Sequence, residues 1–201
     1  MVGVYDFGGG TFDFSVVDTA HGDFRVLATA GDSWLGGDDF DSATAEALAN
    51  LFWKANNVDL RQRAVEWQQL LFAVERAKRG LSEREETEIH VPEVSRTASG
   101  TSDLRARIAR GQAERIWRLL IDRTLHTCLQ GLTMAGLRPS DLTRVFLSGG
   151  TTHIPMVRTA LQSYFGTAPV TGVPPDYAVC LGAGVHAAQL EQTQEPTLPR
   201  L

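Results

Sequence analysis

An α/β fold is predicted for this chain by three observations. They are a glycine-turned strand meander at its start, two stretches of helical apolar spacing in its middle, and a strand, loop and helix unit further on. The 201 residues are 43% hydrophobic and 21% charged, enough apolar material for a buried core in one or two domains.

The meander comes first. Residues 2–6 (VGVYD) and 12–18 (FDFSVVD) are β-rich runs separated by the tight segment FGGGT, and a third run, 24–30, follows His21-Gly22-Asp23. Over 41–54, Ala43, Ala47, Leu48 and Leu51 recur at helical spacing, and over 63–81 Trp67, Leu70, Leu71, Val74 and Leu81 do so again. Between Glu85 and Asp103 the polar, β-branched sequence broken by Pro92 and Gly100 predicts small exposed strands and a turn. A long helix is expected from Gln112 to Met134, stopped by Gly136 and Pro139. Arg144–Leu147 then reads as a strand, Ser148-Gly149-Gly150-Thr151 as a turn, and Ile154 onward as a helix with Pro155 in its first turn. A last helix over about 176–190 carries the small-residue run GAGVHAA, and residues 191–201 read as a loose polar tail.

Composition excludes several classes of function. With 19 basic and 24 acidic residues the formal net charge is -5, and no basic run is long enough to track a phosphate backbone, so nucleic acid is not an expected partner. No stretch approaches ~18 uninterrupted apolar residues. The N-terminus enters a strand directly rather than a charged leader, which predicts a cytoplasmic chain with no membrane partner. Cys128 and Cys180 lack metal or redox spacing and are expected to be packing residues, and His21, His90, His126 and His186 to play surface or core roles.

Three segments could carry chemistry. In Asp6-Phe7-Gly8-Gly9-Gly10-Thr11-Phe12-Asp13, successive glycines let backbone amides converge on an anion such as a phosphate, and Thr11 adds a hydroxyl. Asp6 and Asp13 flank the loop, and carboxylates beside phosphate normally act through magnesium and its waters. The same glycines would equally serve a plain hairpin turn needing positive φ. Ser148-Gly149-Gly150-Thr151-Thr152-His153 lies between a strand and a helix N-terminus, where a nucleotide edge or an ordinary small-residue connection fits. Glu75, Lys78, Arg79 and Ser82 lie at i, i+3, i+4 and i+7 on one helix face, away from its apolar positions. They suit either a ribose and purine grip or a solvated, salt-bridged surface.

Taken in order, VYDFGGGTFDFSVVD, LGGDDFD, ERAKRGLS, LSGGTTHIP and PPDYAVCLGAGVHAA resemble the ATPase domain of DnaK-type, seventy-kilodalton heat-shock chaperones from its second phosphate loop onward. The resemblance runs from about Val2 to Gln189 and implies the second lobe of an actin-like (ribonuclease H-like) ATPase, with a mixed sheet, flanking helices and an inserted α+β subdomain. It implies that residues 1–36 and 112–190 form the sheet subdomain and 37–111 a smaller inserted lid. The implied cofactors are ATP or ADP and Mg2+. Gly8, Gly9, Gly10 and Thr11 would hold phosphates with Gly37 beside them, while Asp6 and Asp13 order magnesium-bound water, making Asp6, Thr11 and Asp13 the catalytic set. Glu75, Lys78 and Ser82 would contact ribose and adenine, Arg79 the adenine face, and Gly149, Gly150, Thr151, His153 and Asp176 the rest of the nucleoside.

Some features depart from the family pattern. His153 stands where most members carry an arginine, Tyr177 and Cys180 replace commoner residues, and 85–111 matches poorly. The family's first lobe and its peptide-binding domain have no counterpart in these residues, and Met1 directly before a strand suggests an engineered fragment rather than a natural short protein. The expected partners are therefore that first lobe, the peptide-binding domain, and co-chaperones or a nucleotide-exchange factor on the lid. A lone lobe, holding half of the donor set, is expected to hydrolyse ATP poorly. Two other readings remain: another actin-like kinase or filament protein, and a nucleotide-independent scaffold or docking domain built on the same fold.

Overall fold

A computed structural model describes residues 1–20, 24–97 and 100–193. The turn expected at His21-Gly22-Asp23 and the tail beyond Thr193 lie outside the described residues. The tail region is helical as far as Thr193, so the last helix runs three residues past its expected end.

Strand alternation builds the first layer. In β1 (Val2–Phe7) every second residue, Gly3, Tyr5 and Phe7, is buried, and β2 (Phe12–Asp18) answers with Phe12, Phe14 and Val16. The two pair antiparallel with Asp6 opposite Asp13, and β3 (Arg25–Asp32) continues the meander after a bulge at Val16/Val17. On the other side of β1 lies β6 (Arg144–Ser148), which pairs parallel with it, Val2 opposite Arg144 and Asp6 opposite Ser148. The order is β3-β2-β1-β6, a mixed sheet. Because β1 and β6 run the same way, the glycine segments that follow them emerge at one edge.

Three helices and a hairpin separate the meander from β6. The helix α1 (Gly37–Asn56) begins four residues before its apolar periodicity does, because the Asp39 carboxylate accepts from the Gly36 amide at 2.7 Å and caps the first turn. The next helix, α2 (Ala64–Glu83), buries Leu70, Ala73, Val74, Ala77 and Leu81. Then α3 (Arg110–Ala135) returns to the sheet, ending at Gly136 in the left-handed region, φ 69°. Its Gly131 lets α3 approach the sheet closely, since a Cβ there would stand 3.0 Å from the Phe14 ring.

An aromatic chain joins these layers. Tyr5, Phe7 and Phe12 pack with centroids 4.6–5.9 Å apart, Phe7 meets Phe40 of α1, and Phe40 meets Trp117 of α3. Each side chain of this size contributes about 1.5–3 kcal/mol on burial. Their polar ends are satisfied: Tyr5 Oη donates to Thr124 Oγ1 at 2.7 Å, and Trp117 Nε1 donates to Thr44 Oγ1 at 2.9 Å.

The segment expected as small exposed strands is one long hairpin, β4 (Glu86–Thr97) with β5 (Gly100–Ala109). Ile89, Val91, Leu104 and Ile108 are buried, and Pro92 is tolerated because it falls in the bulge between Val91 and Ser95. Asp103 organises that bulge. It accepts from the Glu93 amide at 2.9 Å, where Glu93 has φ 45°, and pairs with His90 Nε2 at 2.9 Å and Arg105 at 3.3 Å. The Glu93 amide first, then His90, holds the Asp103 acid down to about 2. A carboxylate whose folded value lies below its ordinary 3.8 adds stability above pH 3.8 that is lost as pH falls toward 2. Amide exchange in the hairpin is therefore expected to accelerate over that window in the native chain beyond the intrinsic change, and Asp103→Asn to abolish the difference.

The last elements are α4 (Pro155–Phe165) and α5 (Ala178–Thr193). Pro155 occupies the first turn of α4, which buries Val157, Leu161 and Phe165. In contrast, α5 is exposed, with Val179, Leu181 and Val185 all facing outward. Cys128 is buried as expected, but Cys180 is exposed, because it belongs to this uncovered helix. Among the described residues, no helix is long and apolar enough to cross a membrane.

Candidate functional site

The parallel pairing of β1 and β6 brings the two glycine loops together, and the start of α1 closes on them. Gly37 N–H donates to Gly8 O at 3.0 Å and Asp38 N–H to Gly9 O at 2.8 Å, while Thr151 Oγ1 donates to Gly8 O at 2.8 Å. These approaches leave no room for side chains. A Cβ at Gly36 would lie 2.1 Å from Gly9 O, and one at Gly149 2.4 Å from Phe7 O. Gly149 is also left-handed, φ 85°, and its amide donates to Pro175 O at 3.0 Å, which draws the turn holding Asp176 against this edge.

Gly8, Gly9 and Gly10 differ from these. None of the three lies in the left-handed region, and a Cβ on Gly10 would meet nothing within 4 Å. A hairpin needing positive φ therefore does not account for the triplet, and a Cβ on Gly8 or Gly9 would meet only ordinary contacts at 3.7 Å.

A cavity of about 560 Å3 lies along this edge. Glu75, Lys78, Arg79 and Ser82 line it from α2; Gly9 and Gly37 from the glycine-loop and α1 end; Gly150, Thr151, His153 and Asp176 from the far turns. Ten residues singled out from the sequence thus share one cavity. Asp6, Gly8, Gly10, Thr11, Asp13 and Gly149 do not line it: they belong to the adjoining strand ends and turns, where Asp6 lies between Asp13 and Ser148. Asp38, Glu83 and Ile154 line the cavity without having been singled out, although the motif LGGDDFD contains Asp38.

The charged groups are arranged in pairs. Lys78, expected to face outward, is 12% exposed: its Nζ donates to Gly37 O at 2.8 Å and to Asp41 Oδ2 at 2.6 Å. Asp41 is buried, and burial raises its carboxyl above the ordinary range despite the hydrogen bond from Lys78. Arg79, 77% exposed, pairs with Glu75 at 2.8 Å, and His153 Nε2 shares a 2.8 Å hydrogen bond with Asp176 Oδ2. The result is a glycine-floored slot with a fixed ammonium, an exposed guanidinium and an imidazole on its walls. It can bind a flat polar ring and an anion. Among the described residues no three His, Cys, Asp or Glu side chains converge to hold a metal, so a magnesium ion here would depend on phosphate oxygens and water.

A protein-family model described as Hsp70 protein matches residues 1–197 of the chain.

Proposed function

This chain belongs to the Hsp70 family, chaperones whose ATPase domain has the actin-like fold and binds ATP or ADP; from that premise we propose that it is the second lobe of the nucleotide-binding domain, and that the 560 Å3 cavity takes the nucleotide. The carrying observation is the glycine triplet. It is required neither by backbone conformation nor by packing, and its middle residue, Gly9, lines a cavity of the size usual for small-molecule sites.

In this reading Gly8, Gly9, Gly10, Thr11 and Gly37 hold the phosphates through backbone amides and a hydroxyl. Asp6 and Asp13, opposite each other across the hairpin, orient water around Mg2+. Glu75 and Ser82 bind the ribose and adenine, Arg79 covers the adenine face, and Gly149, Gly150, Thr151, His153 and Asp176 line the remaining edge. Lys78 serves partly by position, since its ammonium also ties the start of α1 to α2. Residues 1–36 and 112–190 act as the sheet subdomain and 37–111 as the inserted lid. The partners are a first lobe, a peptide-binding domain, and co-chaperones or an exchange factor on the lid. Hydrolysis needs the other lobe's groups, since phosphoryl transfer depends on positioning and charge stabilisation from both sides.

The pairing of His153 with Asp176 favours one alternative, a scaffold that no longer uses nucleotide, because both groups are already engaged with each other. Thermal unfolding with and without excess Mg-ADP separates the readings. A ligand present at ~100 times its dissociation constant adds about 2.7 kcal/mol. The expected result is a clear upward shift in Tm that Arg79→Ala diminishes. A chain unmoved by Mg-ADP both alone and within its intact parent would leave the scaffold.

A further inference from the structure

The cavity assigned above to a nucleotide has walls richer in acid than in base. Asp38, Glu75, Glu83 and Asp176 line it against Lys78 and Arg79. Neither cation is in surplus: Lys78 directs its ammonium to Asp41 and the Gly37 carbonyl, and Arg79 pairs with Glu75. The remaining lining residue able to carry a charge is His153.

The imidazole is held in place by a bond that survives its protonation. Its Nε2 lies 2.8 Å from Asp176 Oδ2, and a carboxylate only accepts, so Nε2 carries a hydrogen in this pairing. The neutral ring is then bare at Nδ1, which among the described residues has no hydrogen-bond partner. A proton taken up there turns the ring into a cation without releasing Asp176. Asp176 is itself fixed against the loop, since the Gly149 amide donates to Pro175 O at 3.0 Å and a Cβ on Gly150 would stand 2.9 Å from Asp176 Oδ1. The His153 and Asp176 side chains are 45% and 50% exposed, so the ring exchanges its proton with solvent where it stands.

The surrounding groups leave the pH range near neutrality to this ring. Histidine ordinarily changes charge between about pH 5 and 8, carboxylates below that range, and lysine, arginine and tyrosine above it. The strand, helix and turn packed against the His153 loop add Asp6, Arg158 and Tyr177, of those same types.

We propose that His153 is a pH switch on this site: uptake of a proton by its ring, with the bond to Asp176 kept, offsets the acidic walls and tightens the binding of a nucleotide anion. The switch rests on the nucleotide reading of the cavity and adds a direction to it. Affinity rises as pH falls from about 8 to about 5.5, and a permanent cation at the same position removes the dependence.

Calorimetric titration with Mg-ADP at about pH 8 and about pH 5.5 tests it, on the native chain, His153→Gln and His153→Arg, each alone and within the intact parent. One unit charge acting on a unit anion across about 6 Å, at close to the dielectric of water, changes its affinity about threefold. The ratio of affinities at the two pH values is therefore expected to be about threefold larger for the native chain than for His153→Gln or His153→Arg. Protonation of the nucleotide and of the other groups of the protein is common to the three chains and cancels in that comparison. His153→Arg is expected to match the native chain at the lower pH and His153→Gln at the higher. Binding with the same ratio in the native chain and His153→Gln would overturn the switch and leave the nucleotide reading standing. Binding by none of the three at either pH, alone or in the parent, would remove the nucleotide reading and the switch with it.

Discussion

Lys78→Met is expected to lower unfolding stability by about 3 kcal/mol, the range seen when one partner of a buried ion pair is removed. The cause is what remains. Asp41 keeps its place 7% exposed, with Oδ1 already unpartnered and Oδ2 now without its ammonium. The Gly37 carbonyl loses a donor as well. Asp41→Asn combined with Lys78→Met is expected to recover most of the loss, since the residual charge disappears, and urea unfolding of the four species in a double-mutant cycle measures the coupling. The pH dependence follows from the direction of the Asp41 shift. A carboxyl raised above 3.8 in the folded state binds its proton more tightly there, so its contribution is fully present below pH 3.8 and is lost as pH rises through the folded value. Lys78→Met should widen that window upward. Equal stabilities of the native and Lys78→Met chains would show that the pair contributes nothing net.

Gly149→Ala is expected to cost on the order of 3 kcal/mol or more and, on the nucleotide reading, to remove nucleotide binding with it. The methyl group must occupy a left-handed backbone, φ 85°, and stand 2.4 Å from Phe7 O and 2.9 Å from Gly8 N. Both obstacles are backbone, so no side-chain rotation relieves them. Gly10→Ala supplies the contrast. Its backbone is not left-handed and its Cβ meets nothing, so stability is expected to stay within about 0.5 kcal/mol of the parent. On the nucleotide reading its affinity for Mg-ADP falls nevertheless. Calorimetric Tm and Mg-ADP titration of the two variants, side by side, separate a glycine that the fold needs from one that a ligand needs. Undiminished binding by Gly10→Ala would remove the triplet from the site.

Much of this was legible in the sequence because the signals were local. Alternation in 2–18, helical spacing in 63–81, and the strand, turn and Pro155 sequence at 144–155 each correspond to an observed element. The clustering of Glu75, Arg79 and Ser82 followed from helix geometry alone. What could not be read depends on side-chain partners that apolar periodicity does not report. The helical period of α1 says nothing of Asp39 reaching back to Gly36, which sets its true start. The inward turn of Lys78 depends on Asp41, 37 residues earlier, and no pattern marks one lysine of a charged face as buried. The hairpin β4–β5 was obscured by Pro92, whose bulge needs Asp103 across the strand to hold it. Apolar surroundings in the sequence also do not report whether anything covers a helix, and so Cys180 on α5 is exposed where a packing residue is expected.

The central position of β1 has a consequence for synthesis. Its two neighbours arrive at different times: β2 follows within a few residues, whereas the Thr143 amide that meets Met1 O, just before β6, is 142 residues away. At ribosomal rates of about 5–20 residues per second, the β6-facing edge of β1 waits roughly 7–30 s for its partner. During that interval the nascent chain presents an unpaired row of backbone donors and acceptors beside Tyr5 and Phe7, the kind of edge on which polypeptides aggregate. A domain of a chaperone family thus passes, while being made, through the exposed state from which chaperones protect other chains.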